Sequence, residues 1–224
     1  MNMKLSDYQR LAKFWDAEHD EVTQVALIVC ELYGFSSNQV DNMPPKTFLK
    51  YAKKVNKMFN GIDKKPFWSR YYFENDATQI TLGQFIEVQH FIKMGEVENM
   101  HLIGASIWDD KRPHAVKSEL LKNINVKYLL HDFTTFLISF AELLDSYKGL
   151  FETETQPDED DEEEVKMEKP HPFIDQYGWI FSAKQVAEHE GITLDKAFEL
   201  PVIQAFNDLA YLKSYQDYQR KMNK

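Results

Sequence analysis

A mainly α-helical fold is what this sequence predicts, and three observations carry the prediction. Apolar residues recur at three- and four-residue spacing through most of the chain. Glycines that can end helices follow those runs at positions 34, 61, 95 and 191. Serine or threonine followed three residues later by glutamine, the pattern of a capping box, stands at Ser6/Gln9, Thr81/Gln84 and Ser182/Gln185. The expected organisation is a helical domain over 1–151 that includes a small β-hairpin, an acidic flexible linker over 152–172, and a small helical arm over 173–224.

Each element has its own justification. Ser6 opens a short helix through Trp15, and a second helix covers Asp20 to Tyr33, with Val22, Val25, Ala26, Val29, Leu32 and Tyr33 on a buried face. After a short turn or helix at Ser36 to Met43, Pro44 and Pro45 suit a helix start, and Phe48, Ala52, Val55 and Phe59 form one face. The aromatic run FWSRYYF at 67–73, a turn-like ENDA, and Thr78 to Ile80 read as the hairpin. Helices then follow at Leu82 to Met94, Val97 to Trp108, His114 to Ile124 and Lys127 to Tyr147, the last apolar nearly all round and therefore central. In the arm, Phe173 to Phe181 reads as extended with a turn at Tyr177 and Gly178, and Ala183 to Glu190 as a helix. Thr193 caps another through Glu199, and Pro201 opens the last, whose stripe is Val202, Ala205, Phe206, Leu209, Leu212 and Tyr215. The polar tail from Ser214 is expected to fray.

Composition narrows the function. With 224 residues, 43% hydrophobic and 14% aromatic, the chain can build a real core. The net charge of −10 is concentrated: residues 1–151 hold 18 basic and 19 acidic side chains, 152–170 hold 2 and 10, and 171–224 hold 6 and 7. The foldable parts are thus almost neutral, with no basic stripe to displace counterions from a duplex. A helix-turn-helix is conceivable around Gly191 to Thr193, but its second helix carries Asp195 and Glu199 against one lysine, Lys196, which phosphates would repel. Cys30 is the only cysteine, which forbids an internal disulfide, and its apolar surroundings predict a small buried hydrophobe. The N-terminus lacks a signal-peptide pattern, and no run is long and apolar enough to span a membrane, so cytoplasmic residence is expected.

No catalytic signature stands out. GxxxxGK[ST], GxGxxG, GxSxG and HExxH are all missing, so a non-enzyme with no cofactor and no metal is expected. The DEDD at 158–161 lies in a flexible run whose carboxylates repel one another, rather than on a scaffold that would converge them on a metal. His90, His101 and His131 lack metal-ligand spacing and read as hydrogen-bonded edge residues. Trp15, Trp68, Trp108 and Trp179 read as core aromatics, with Trp179 in the small arm the best placed of the four for contact with a partner. The candidate partner-binding residues are Trp179, Phe181, Val202, Phe206 and Leu209.

Three stretches carry a family resemblance: TLGQFIEVQHFI at 81–92, FTTFLISFAELL at 133–144, and GWIFSAKQVAEHEGITLDKAFELPVIQAFNDLAYLKS at 178–214. In order and character they resemble the tail assembly chaperones of long-tailed bacteriophages, small helical proteins that bind the tape-measure protein while the tail tube polymerises. The acidic run at 158–164 departs from that pattern. The resemblance implies a phage morphogenesis protein of the host cell cytoplasm, with a protein partner among the tape-measure or tail and neck proteins, no catalytic residues, and scope for homo-oligomers. A permanent virion component, such as a portal or neck ring, adaptor or packaged protein, is the competing expectation.

Overall fold

The structure is a computed structural model and describes residues 3–15, 19–62, 73–151 and 172–223. Among these residues the protein is mainly α: twelve α-helices and two single 3₁₀ turns, with pairing between extended segments confined to two isolated bridges. The chain divides into two units that interleave along the sequence, the first from Met1–Asn75 and Glu87–Phe136, the second from Asp76–Ile86 and Leu137–Lys224.

The first unit begins with α1 (Leu5–Ala12), α2 (Glu21–Tyr33), α3 (Ser37–Asp41) and α4 (Pro45–Phe59). α2 starts as its sequence requires: the Asp20 carboxylate accepts from the Val22 and Thr23 amides, and Gly34 closes the helix at φ 70°. Val25, Ile28 and Val29 are buried, whereas Val22 faces outward and Cys30 is only half-buried, so the cysteine is less enclosed than expected. α1 corrects its capping box. Lys4, not Ser6, is the N-cap, and the Leu5 amide donates to the Ile124 carbonyl at 2.9 Å while Val126 donates to Met3 at 2.9 Å. One of the helix's orphan amides is therefore satisfied by a distant segment, and the helix starts before Ser6. The Gln9 side chain, displaced from any capping role, donates to the Val97 and Glu98 carbonyls at 2.9 and 2.7 Å and meets His101 Nδ1 at 3.0 Å.

Further along, α5 (Leu82–Lys93) contributes its residues from Glu87 onward to the first unit, followed by α6 (Met100–Ile107) and α7 (His114–Lys122). The helix expected from Val97 starts at Met100 instead, after turns across 96–99 in which the Asn99 side-chain amide donates to the Gly95 carbonyl. α8 (Leu130–Ser146) follows a 3₁₀ turn at Val126–Tyr128. The hairpin is corrected on its described side: Ala77–Gln79 is a 3₁₀ turn, while 67–72 lie outside the described residues. Residues 152–171 of the acidic linker, with its DEDD, also lie outside them, while Pro172 begins a helix.

The second unit gathers Asp76–Ile86, the rest of α8, α9 (Lys148–Phe151), α10 (Pro172–Glu190), α11 (Leu194–Glu199) and α12 (Val202–Met222). Here the Thr81/Gln84 box forms as predicted, each partner's backbone amide donating to the other's side-chain oxygen, at 2.9 and 3.2 Å. Leu82 donates to the Leu200 carbonyl and Val202 to the Ile80 carbonyl, both at 2.9 Å, which pins the start of α5 to the start of α12. The approach is close enough that a Cβ on Gly83 would stand 3.2 Å from the Phe198 carbonyl oxygen.

Candidate protein-binding surface

Aromatic packing decides which candidate residues of the second unit can meet a partner. Phe85 of α5 stacks on Phe140 of α8 at 5.0 Å between ring centroids and takes edge contacts from Trp179 of α10 at 5.1 Å and Phe206 of α12 at 4.9 Å. Phe206 also meets Tyr147 edge-on at 5.1 Å. Centroid separations of 4.5–7 Å with offset or edge geometry are what the ring quadrupoles favour. Phe206 and Val202 are completely enclosed, as are Ala183, Val186, Ala197 and Ala205 around them. Val202 and Phe206 are therefore core, with the half-buried Trp179 stacked on Phe206, Leu209 is half-buried, and Phe181 is on the exposed side.

The separation of Trp179 from Phe181 follows from one correction. Phe173 to Phe181 is helical, not extended, and runs without a break into the helix expected from Ala183. Ser182 consequently sits in mid-helix, where its hydroxyl donates back to the Gly178 carbonyl at 3.0 Å instead of capping. At about 100° per residue, Trp179, Ala183 and Val186 fall on the inward side, Tyr177 and Phe181 on the opposite one, and Ile180 on the flank between. Tyr177, Ile180 and Phe181 are 42, 44 and 45% exposed, an apolar arc that only the helical reading reveals.

α12 holds a second exposed arc. The tail expected to fray is helical through Met222. Val202, Ala205 and Phe206 bury its first turns, while Tyr215, expected on that stripe, lies instead on an outward face with Tyr211, Tyr218 and Met222. Tyr211 packs against His189 of α10 at 5.5 Å and stacks nearly parallel on Tyr215 at 6.1 Å. The 4-3-4 spacing of these residues is visible in the sequence, and a helix drawn past Ser214 would have exposed it.

Electrostatics at the junction of α10 and α12 centre on Asp208. Burial raises its carboxyl above the ordinary range, the neighbouring Glu190 charge and a hydrogen bond with Glu190 raise it further, and His189 works weakly the other way. No donor reaches its buried Oδ2, while Glu190 accepts from the Gln204 amide at 3.3 Å. In the helix-turn-helix segment, Thr193 caps α11 and Lys196 is bound to Glu199 at 2.7 Å, so the second helix's one lysine is already engaged with a carboxylate.

The histidines are dispersed. His101 meets Gln9, and burial holds its imidazole below the usual value; His131 lies 3.7 Å from the Asp132 carboxylate; and His90 packs on Phe91. Among the described residues no three His, Cys, Asp or Glu side chains converge as a metal site would require. Of the tryptophans, Trp15 is 45% exposed against Phe59, Trp108 lies under the Arg112 guanidinium, and Trp68 falls outside the described residues. No described helix is long and apolar enough to cross a membrane. No family model matches the chain, and no curated protein or solved structure matches it.

Proposed function

We propose that the chain is a non-enzymatic phage morphogenesis protein, a tail assembly chaperone that shields the tape-measure protein in the host cytoplasm while the tail tube assembles. The observation that supports this reading is the exposed arc of Tyr177, Ile180 and Phe181 on α10, set on a helix whose other side is anchored by Trp179. A long tape-measure helix presents apolar stripes until the tube encloses it, and such surface aggregates unless covered. A rigid helix with an apolar arc can cover a stripe by helix packing and be displaced when tube subunits make a larger contact. The likeness of the three stretches at 81–92, 133–144 and 178–214 to the tail assembly chaperones points to the same partner.

Co-expression with a phage tape-measure protein tests the reading. The expected result is soluble tape-measure protein that co-purifies with the chain, and at least a tenfold loss of capture for I180D/F181D with unchanged helicity. A wild-type chain that neither captures nor solubilises the tape-measure product would overturn it. Mass spectrometry of purified particles discriminates the competing role: a chaperone is absent, whereas a neck ring or adaptor subunit is present at fixed copy number.

A further inference from the structure

A second surface carries an inference that does not depend on the tape-measure reading. We infer that the distal half of α12 is a homodimer contact, in which Tyr211, Tyr215, Tyr218 and Met222 pair antiparallel with the same residues of a second copy. The four side chains are 57, 47, 59 and 69% exposed and fall within one narrow arc of the helix, because their spacing is four, three and four residues.

That spacing reads the same in both directions. Turned about a two-fold axis, Tyr211 meets Met222 of the second copy and Tyr215 meets Tyr218, so every member of the arc has a partner. A self-complementary patch of this kind is what an isologous interface requires. The tyrosine platform is already ordered, Tyr211 against His189 and Tyr215 stacked on Tyr211, which reduces the entropy lost on association.

Charge favours a second copy over a charged helix from another protein. Along 211–222 the positions bordering the arc are Leu212, Ser214 and Gln219, with Lys221 the one charge, and Asp208 lies beside the arc's N-terminal end. Lys213 and Arg220 point to the other side of the helix, where Lys213 donates to the Gly149 carbonyl and Arg220 lies 3.6 Å from Asp217. A strongly acidic or basic partner would thus find only one lysine and one carboxylate, at opposite ends of the arc, whereas a copy meets no like charge across the seam. Antiparallel pairing keeps Lys221 on one flank of the seam, beside Ser214 of the other copy. It also opposes the two helix dipoles.

Area sets the strength. A fully enclosed aromatic side chain buries about 150–250 Å², so the arc offers roughly 400 Å² per copy and about 800 Å² in the pair. Stable interfaces bury about 1,200 Å² or more, which makes this a weak, reversible dimer. The net charge of −10 on each chain opposes association, so added salt strengthens it.

Sedimentation velocity of the full chain over a wide concentration range reads the proposal directly. The expected result is a monomer–dimer equilibrium, tightened by salt and weakened at least tenfold in Y215E/Y218E, with the helical circular dichroism of the variant unchanged because both sites are exposed. Orientation is tested by oxidising mixtures of Y211C and M222C chains, each also carrying C30S. The mixed 211–222 disulfide should exceed either self-pair. A chain that stays monomeric at every concentration, whatever else it binds, overturns the proposal. So does a dimer untouched by Y215E/Y218E, or an excess of 211–211 and 222–222 pairs.

Discussion

The two units are held by different kinds of contact. In the first, fully buried side chains are mostly aliphatic, such as Leu11, Ile28, Val29, Val55 and Ile103, and long-range order comes from point-to-point polar ties, the Leu5 amide to Ile124 and Gln9 to the 97–98 carbonyls. The second closes on a single aromatic cluster in which Phe85 and Phe206 each touch several rings. Aliphatic packing spreads cohesion over many small contributions, whereas a cluster concentrates it in a few large side chains. The largest single-residue effects are therefore expected in the second unit.

Phe206→Ala therefore probes the contrast most strongly. Removing a completely enclosed ring that contacts Phe85, Tyr147 and Trp179 should cost about 3–5 kcal/mol, the range for truncating a buried aromatic. Denaturant unfolding measures it, with faster amide exchange in α10 and α12 as the local sign. A loss under about 1 kcal/mol would show that the cluster does not hold the second unit together.

In the first unit the corresponding probe is a polar tie. Gln9→Ala removes three contacts from one side chain, two of them to backbone carbonyls on the turns before α6. Water can reach part of this site, so the expected cost is about 1–2 kcal/mol, well below the Phe206 effect. A loss as large as that of Phe206→Ala would erase the distinction between the units.

The same two kinds of contact explain how much could be read in the sequence. The helices themselves were legible from apolar spacing, and Gly34, Gly61, Gly95 and Gly191 do adopt positive φ at 70, 70, 116 and 66°. Capping was the weak point. One pattern, Ser/Thr with Gln three residues on, predicts a cap at Ser6, Thr81 and Ser182, yet of these it caps a helix only at Thr81, while the same pattern at Ser36 and Gln39, outside the expected three, forms a complete capping box. At Ser6 a carbonyl 119 residues away, Ile124, serves the Leu5 amide and lets the helix begin earlier. At Ser182 helix continuation through Gly178, which costs about 1 kcal/mol relative to alanine, is offset by seating Trp179 against Phe85. Both misreadings arise from contacts distant in sequence, which no local pattern contains. The candidate surface inherited the second error: with 173–181 taken as extended, Trp179 and Phe181 could share a side, and the helix puts them on opposite ones.

The smallest expected effect lies at the polar edge of the second unit and has the opposite sign. Asp208 is partly buried, its Oδ2 lacks a donor, and Glu190 adds a like charge, so its folded-state carboxyl titrates above the ordinary value. Between the unfolded value and that raised one the native state binds more protons than the unfolded chain, and stability therefore falls as pH rises through this window. Above it the full cost of the ionised form is present. Asp208→Asn removes the charge and can donate to the Glu190 carboxylate, which should stabilise the protein by about 0.5–1 kcal/mol at neutral pH. The gain should shrink as the pH is lowered through the raised folded-state value, and its charge-dependent part is lost only below the ordinary carboxyl value of about 4, where the wild-type carboxyl is protonated in both states. Paired unfolding curves from pH 4 to 8 measure the difference; a constant or negative difference would mean that Glu190 and Asp208 do not interact as carboxyl and carboxylate.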